Sequence, residues 1–164
     1  DGFDVEELFD YNYEQRTIDG YQYGKKITNE ELLALECDFL IPAALGSAIN
    51  EDNVDSLNCK IIIEAANGPV TGEAADKLWK KKIAIIPDIL TNAGGVTVSY
   101  FEWVQNLQQF KWPEDEINKK LEEKMVAAFN EVFTVKQNKN VPMRIASFMV
   151  AIDRVSAAYD LREG

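Results

Sequence analysis

Short all-apolar runs alternate with amphipathic stretches in the first half of the chain, and helix-period patterns dominate the second half. Phe3, Val5, Leu8 and Phe9 form a short helical stripe, followed over 11–26 by a polar, Tyr- and Gly-punctuated segment that reads as a loop. Thr28-Asn29-Glu30-Glu31 is a capping box opening a helix through Leu35. Phe39-Leu40-Ile41 reads as a buried strand, Asn50 as the cap of an acidic helix over 51–57, and residues 60–64 as a second buried strand. Thr71 caps a helix with Glu73 in its first turn and Lys80, Lys81 and Lys82 in its last, an order that complements the helix dipole. Residues 83–86 form the third strand. A helix is predicted over 95–110, another from Pro113 with Ile117, Leu121, Met125, Phe129 and Val132 on one face, and a last one over 143–161 with Ile145, Met149, Ile152, Val155 and Ala158 in line. Residues 137–140 read as a polar connection between the last two.

Apolar strands alternating with helices imply parallel strands covered on both faces. The expected class is therefore α/β: a partial Rossmann-type domain with a short parallel sheet of about three strands and C-terminal helices. The 1–164 chain reads as a single domain, with β/α alternation over 1–90 and C-terminal helices over 91–164. A full dinucleotide fold opens with a strand, a Gly-rich turn and a helix. No GxGxxG occurs in this sequence, so the chain reads as the second half of something larger.

Composition narrows the function classes. The 164 residues are 46% hydrophobic and 27% charged, as in globular domains. A formal net charge of −11 argues against nucleic acid and anionic membranes as partners, since both require clustered Lys and Arg. No apolar run is long enough to cross a bilayer. Cys37 and Cys59 each lie beside a strand, lack CxxC spacing and read as reduced thiols, which fits a cytoplasm-like compartment. With no histidine in the chain, neither a metal site nor Cys–His catalysis is expected.

The most chemically suggestive stretch follows the third strand. Asn92-Ala93-Gly94-Gly95 reads as a turn whose paired glycines permit close backbone approach, and a helix start behind it offers N–H donors. Ser99 lies just inside that start. An amide, a hydroxyl and backbone donors thus converge at a strand end, where open α/β sheets bind ligands.

Three ordered blocks, Cys37-Asp38-Phe39-Leu40-Ile41-Pro42-Ala43-Ala44, Ile63-Glu64-Ala65-Ala66-Asn67-Gly68-Pro69 and residues 87–106, closely resemble the glutamate dehydrogenases of the Glu/Leu/Phe/Val dehydrogenase superfamily. Met143-Arg144-Ile145-Ala146-Ser147-Phe148-Met149-Val150-Ala151 is similar to the same family. The likeness is weakest over 11–26 and 135–140. It implies the C-terminal portion of an NAD(P)-binding domain, beginning after the Gly-rich turn. The intact enzyme would oxidise L-glutamate to 2-oxoglutarate and ammonia with NAD or NADP. The catalytic lysine and aspartate would lie in another domain, so no catalytic residue is assigned here and the fragment alone is expected to be inactive. Its own affinity for NAD is expected to be weak, since the phosphate-binding helix start lies upstream. A homo-hexamer is the family's usual assembly.

The same resemblance assigns roles. Ala43 and Ala44, after Pro42, would line the adenosine side of the cofactor, although an ordinary strand exit reads the same way. Asn67 would sit beside the nicotinamide ribose, where its amide can donate and accept; an Asx turn before Gly68-Pro69 is the other reading. Asn92 would lie near the same ribose, and it could also cap the following helix. Gly94 and Gly95 would pack against the nicotinamide ring. Val96 and Ser99 would reach the amino acid side chain, with Ser99 donating to the distal carboxylate of glutamate. A serine bonded to a carbonyl one turn back is the alternative for Ser99. Tyr100, Phe101 and Trp103 read as packing residues, and Glu64 and Asp88 as structural carboxylates. Two rival functions remain: a leucine- or valine-type amino acid dehydrogenase, and a non-catalytic oligomerisation module built on the helices after Pro113.

Overall fold

The computed structural model describes residues 2–163. Three parallel strands, β1 (Cys37–Leu40), β2 (Cys59–Ile63) and β3 (Ala84–Ile86), form one sheet in that order. Leu40 pairs with Ile62 and Ile62 with Ile85, so β2 is central, and Ile62 is fully buried. The α/β class, the three-stranded parallel sheet and the C-terminal helices are as expected from sequence. Coverage of both faces is not uniform. At the edge strand β1, Phe39 is 58% exposed and Ile41, just beyond it, 54%. Their apolar character alone does not bury them, because no described element packs over that side of the edge.

Seven helices surround or follow the sheet among the described residues: α1 (Val5–Gln15), α2 (Asn29–Leu33), α3 (Gly72–Lys80), α4 (Asp88–Thr91), α5 (Ala93–Gln108), α6 (Glu114–Lys139) and α7 (Met143–Glu163). Local chemistry sets several of their ends. Thr28 and Glu31 form the reciprocal capping box at α2. The Thr71 hydroxyl accepts from the Ala74 N–H at 3.3 Å at α3. Helix α1 takes in five residues read as loop, 11–15; Asp4 caps its start by accepting from the N–H groups of Glu6 and Glu7, and it ends at left-handed Arg16 (φ 56°), whose N–H donates to the Asn12 carbonyl. Residues 51–57 are not a helix. Asn50 accepts from the Asp52 N–H, and the Asn53 side chain accepts from the Asn50 N–H and donates to the Ala48 carbonyl, leaving only a 3-10 turn at Val54–Ser56. Residues 137–139 continue α6, with Lys136 and Lys139 favourable in its last turn, and the chain turns at left-handed Asn140 (φ 50°).

Two apolar clusters hold these elements. Ile49, Val54, Leu57, Ile62, Val70, Ala74 and Leu78 join α3 to the sheet. Leu90, Val132, Met143, Ala146 and Val150 join α4 and the α6–α7 hairpin to the end of β3. The apolar stripe read along α7 is not the face turned to the core. Met143, Ala146, Ser147 and Val150 face inward, while Ile145, Ile152 and Val155 are exposed. Small Ala146 packs in one cluster with Ala128 and Val132 of α6, a choice that a count of apolar spacing does not see on a helix apolar on two sides.

Candidate functional site

The loops leaving the three strands meet at one edge of the sheet. The Pro42 carbonyl accepts from the N–H groups of Ala65 (3.1 Å) and Ala66 (2.8 Å), tying the exit of β1 to that of β2. Ala43 and Ala44 are exposed just beyond this tie. The Ser47 N–H donates to the Gly68 carbonyl at 2.8 Å, and a Cβ on Gly46 would stand 3.3 Å from the Asn67 carbonyl, so the first loop lies directly against the second.

Asn67 and Asn92 come from the exits of β2 and β3, and both are exposed. The Asn92 Nδ2 donates to Asn67 Oδ1 at 3.0 Å. Asn92 is therefore not a side-chain cap. It is a helical residue (φ −84°, ψ −4°) joining α4 to α5, and its amide is committed across the cleft edge instead. That bond leaves the Asn67 Nδ2 as a donor and the Asn92 Oδ1 as an acceptor, groups complementary to hydroxyls.

The paired glycines do not form a turn. Gly94 and Gly95 lie in the first turn of α5, and the left-handed glycine at this edge is Gly68 (φ 56°), beside Asn67. A Cβ on Gly94 would touch Leu121 and Met125 of α6 at 3.9–4.0 Å, whereas one on Gly95 would meet nothing within 4 Å. Gly94 thus faces the helix behind it, and Gly95 leaves bare backbone on the open side.

Val96 and Ser99 fall one and two turns after Asn92 on the same side of α5. Val96 is 70% exposed, and Ser99 is exposed, its hydroxyl making no hydrogen bond among the described residues. The back-bonded hydroxyl in this helix is that of Thr97, which donates to the Ala93 carbonyl at 2.7 Å. Of the three aromatic residues expected to pack, Phe101 is buried, 5.8 Å from Trp112 between ring centres, while Tyr100 and Trp103 lie against each other at 5.8 Å with more than half of each side chain open. Tyr100 and Trp103 are exposed, extending the open face of Val96 and Ser99.

Beneath the amide pair lies a charged network whose third member was not singled out from sequence. Glu64 is fully buried at the end of β2, and its Oε2 accepts from the Asp88 N–H (2.9 Å) and from Arg144 Nη2 of α7. Asp88 Oδ2 accepts from the Gly68 N–H at 2.7 Å, and its Oδ1 accepts from the Ile89 N–H (2.8 Å) and Arg144 Nη1 (3.1 Å). Burial pushes the Glu64 carboxyl above its ordinary value, although the Asp88 amide and Arg144 favour the anion. Burial also presses Asp88 upward, but the Gly68 and Ile89 N–H groups and Arg144 outweigh it and hold that carboxyl below its usual range. Two carboxylates at adjacent strand ends call for a cation between them, but nothing local in the sequence singles out Arg144.

Sheet order, parallel pairing and converging strand-end loops define an α/β protein of the open parallel-sheet class. The family model of the glutamate/leucine/phenylalanine/valine dehydrogenases matches residues 1–163, and the chain belongs to that family. It is 52% identical over 158 residues to a glutamate dehydrogenase of Thermotoga maritima, covering 96% of this chain and 38% of that protein. An NAD-specific glutamate dehydrogenase of Staphylococcus aureus is 44% identical over 157 residues, with the same shares covered. Among solved structures, the glutamate dehydrogenase of Peptoniphilus asaccharolyticus superposes with a TM-score of 0.80 at 38% identity, covering 98% of this chain and 35% of that one. The hetero-hexameric glutamate dehydrogenase of Thermus thermophilus superposes with a TM-score of 0.90 at 27% identity, covering 98% and 38%. The chain spans 38% of the length of the curated relatives.

Proposed function

We propose that this chain is the cofactor-binding part of an NAD- or NADP-dependent glutamate dehydrogenase, which converts L-glutamate to 2-oxoglutarate and ammonia. The observation that carries the reading is the Asn67–Asn92 amide pair at the strand exits, with Gly95, Val96 and Ser99 opening from the same edge. The outward donor and acceptor suit the ribose hydroxyls of a dinucleotide, and the bare backbone at Gly95 suits a flat ring. Ala43 and Ala44 leave room at the β1 exit for the adenosine half. These residues fit the group, and when bound the nicotinamide takes up the hydride from the amino acid.

The chain's own residues bind and orient. Asn67 and Asn92 hold the ribose and so fix which face of the ring meets the substrate. Ser99 donates to the distal carboxylate of glutamate, and Val96 shields its methylenes from water. A hydroxyl at that position disfavours leucine and valine, because its hydrogen bond would go unmade. Identities of 52% and 44% to proteins named as glutamate dehydrogenases favour the same substrate. The exposed Ile145, Ile152 and Val155 on α7 support assembly of the whole protein into a homo-oligomer.

The test is the full-length protein, assayed for reduction of NAD and of NADP with glutamate, leucine and valine in turn. Glutamate is expected to give the highest kcat/KM. Preference for leucine or valine would replace the substrate assignment, and absence of dinucleotide binding would remove the cofactor reading.

A further inference from the structure

Residue Arg144 lies 56 positions from Asp88 and 80 from Glu64, yet its guanidinium bridges both carboxylates. We propose that Arg144 is a positioning residue: from α7 it fixes the geometry of the Asn67–Asn92 amide pair that receives the dinucleotide, an inference that rests on the cofactor reading above.

Asp88 connects the guanidinium to both amides. Its Oδ2 receives the Gly68 N–H at 2.7 Å, immediately after Asn67 and at a left-handed residue whose backbone is sensitive to rotation. Its backbone carbonyl receives the Asn92 N–H at 2.8 Å, so Asp88 also sets where Asn92 begins. Arg144 Nη1 binds the other oxygen of the same carboxylate, Oδ1, at 3.1 Å. A swing of the Asp88 carboxylate would therefore free the Gly68 N–H and loosen the backbone immediately after Asn67. Glu64 holds the arrangement from below by accepting from both the Asp88 N–H and Arg144.

The amides depend on such a support. They are exposed, and a neutral amide–amide hydrogen bond in water competes with hydration. The network beneath is shielded, charge-assisted and forked, and a planar guanidinium can satisfy two carboxylates where an ammonium cannot reach both in the same geometry. The ordinary alternative is that Arg144 only docks α7 onto the end of the sheet. That role would change stability without changing dinucleotide affinity in a folded protein.

The experiment uses the full-length protein and measures the NAD dissociation constant, KM for glutamate, kcat and Tm for the parent, for Arg144→Lys and for the Glu64→Gln/Arg144→Met double variant. The double variant removes both charges while Gln can still accept from the Asp88 N–H, so it keeps the fold if the single change does not. In Arg144→Lys the NAD dissociation constant is expected to rise about tenfold, the scale of one lost charge-assisted hydrogen bond, with KM for glutamate within about twofold of the parent. In the double variant Tm recovers toward the parent and the dissociation constant stays raised. An Arg144→Lys protein that binds NAD as the parent does overturns the proposal, as does a double variant in which affinity returns together with Tm. A parent that binds only NADP is compared with its variants by NADP affinity in the same way, and a parent that binds neither dinucleotide overturns the cofactor reading itself and this inference with it, which separates the two failures.

Discussion

Asn92 donates its side-chain amide to Asn67 Oδ1 at 3.0 Å, joining the exits of two neighbouring parallel strands across 25 residues of sequence. Either amide alone would be an ordinary loop residue. Once Asn92 donates to the Asn67 carbonyl oxygen, the groups left to a ligand are the Asn67 NH2 and the Asn92 carbonyl oxygen, so the two residues act as one donor–acceptor unit.

That relationship predicts non-additive effects. Asn67→Ala and Asn92→Ala should each weaken NAD binding, and the double variant should lose less than the sum of the two, with a coupling on the order of 0.5–1.5 kcal/mol. Fluorescence titration of the three variants in the full-length protein closes the cycle. Strict additivity would mean that the amides act as separate contacts.

Ser99 makes a substrate-selective prediction. Ser99→Val should lower kcat/KM for glutamate by a factor of roughly 5–150, equivalent to about 1–3 kcal/mol for an unpaired carboxylate contact, with the NAD dissociation constant little changed. Because Ser99 is exposed on α5, the change should leave Tm near that of the parent. Steady-state kinetics with glutamate and leucine measure it, and unchanged glutamate kinetics would remove Ser99 from the substrate site.

The two carboxylates under the amides should give opposite pH limbs in stability. Asp88 has a folded value below its unfolded one, so its contribution is present above the unfolded value of about 3.9 and is lost as pH falls through the lower folded value. Glu64 has a folded value above its unfolded value of about 4.3, so its contribution is complete below that and is lost as pH rises through the raised folded value. Asp88→Asn should flatten the acid side of a stability–pH profile, and Glu64→Gln the rise in cost above about pH 4.3. Urea titrations from acid to neutral pH read both slopes. Parallel changes in the two variants would contradict the opposite shifts.

Local signals carried much of the fold. Thr28 and Glu31 close their capping box, Thr71 starts α3, and the Ile-rich run of β2 could be little other than a central strand. Errors came where a local cue met a tertiary or side-chain competitor. Asn50 looked like a cap but uses its oxygen for a turn. Polar residues 137–139 looked like a connection, yet a long helix supported by the α6–α7 contact tolerates them on its outer side. The paired glycines suggested a turn because glycine permits one, whereas both lie in the first turn of α5, facing two different sides. Asn67, Asn92 and Ser99 could be named from their motifs, but their mutual placement depends on sheet register. Arg144 was beyond reach because its partners are 56 and 80 residues away, and only the fold shows that a helix start and two strand ends coincide.

The two glycines of α5 should therefore respond differently to the same substitution. Gly94→Ala places a methyl at ordinary contact distance from Leu121 and Met125, and Gly95→Ala places one in open space. Both relieve the entropy cost of glycine in a helix, so each should stabilise the fold by about 0.5–1 kcal/mol. Only Gly95 lies on the open edge with Asn92 and Val96, so only Gly95→Ala should also raise the NAD dissociation constant, because the methyl intrudes where a flat ring would approach the backbone. Thermal melts and NAD titrations on the two variants distinguish these effects. If both gain stability and both keep parental affinity, the bare backbone at Gly95 does not receive the cofactor, and the ring must be placed elsewhere along the strand exits.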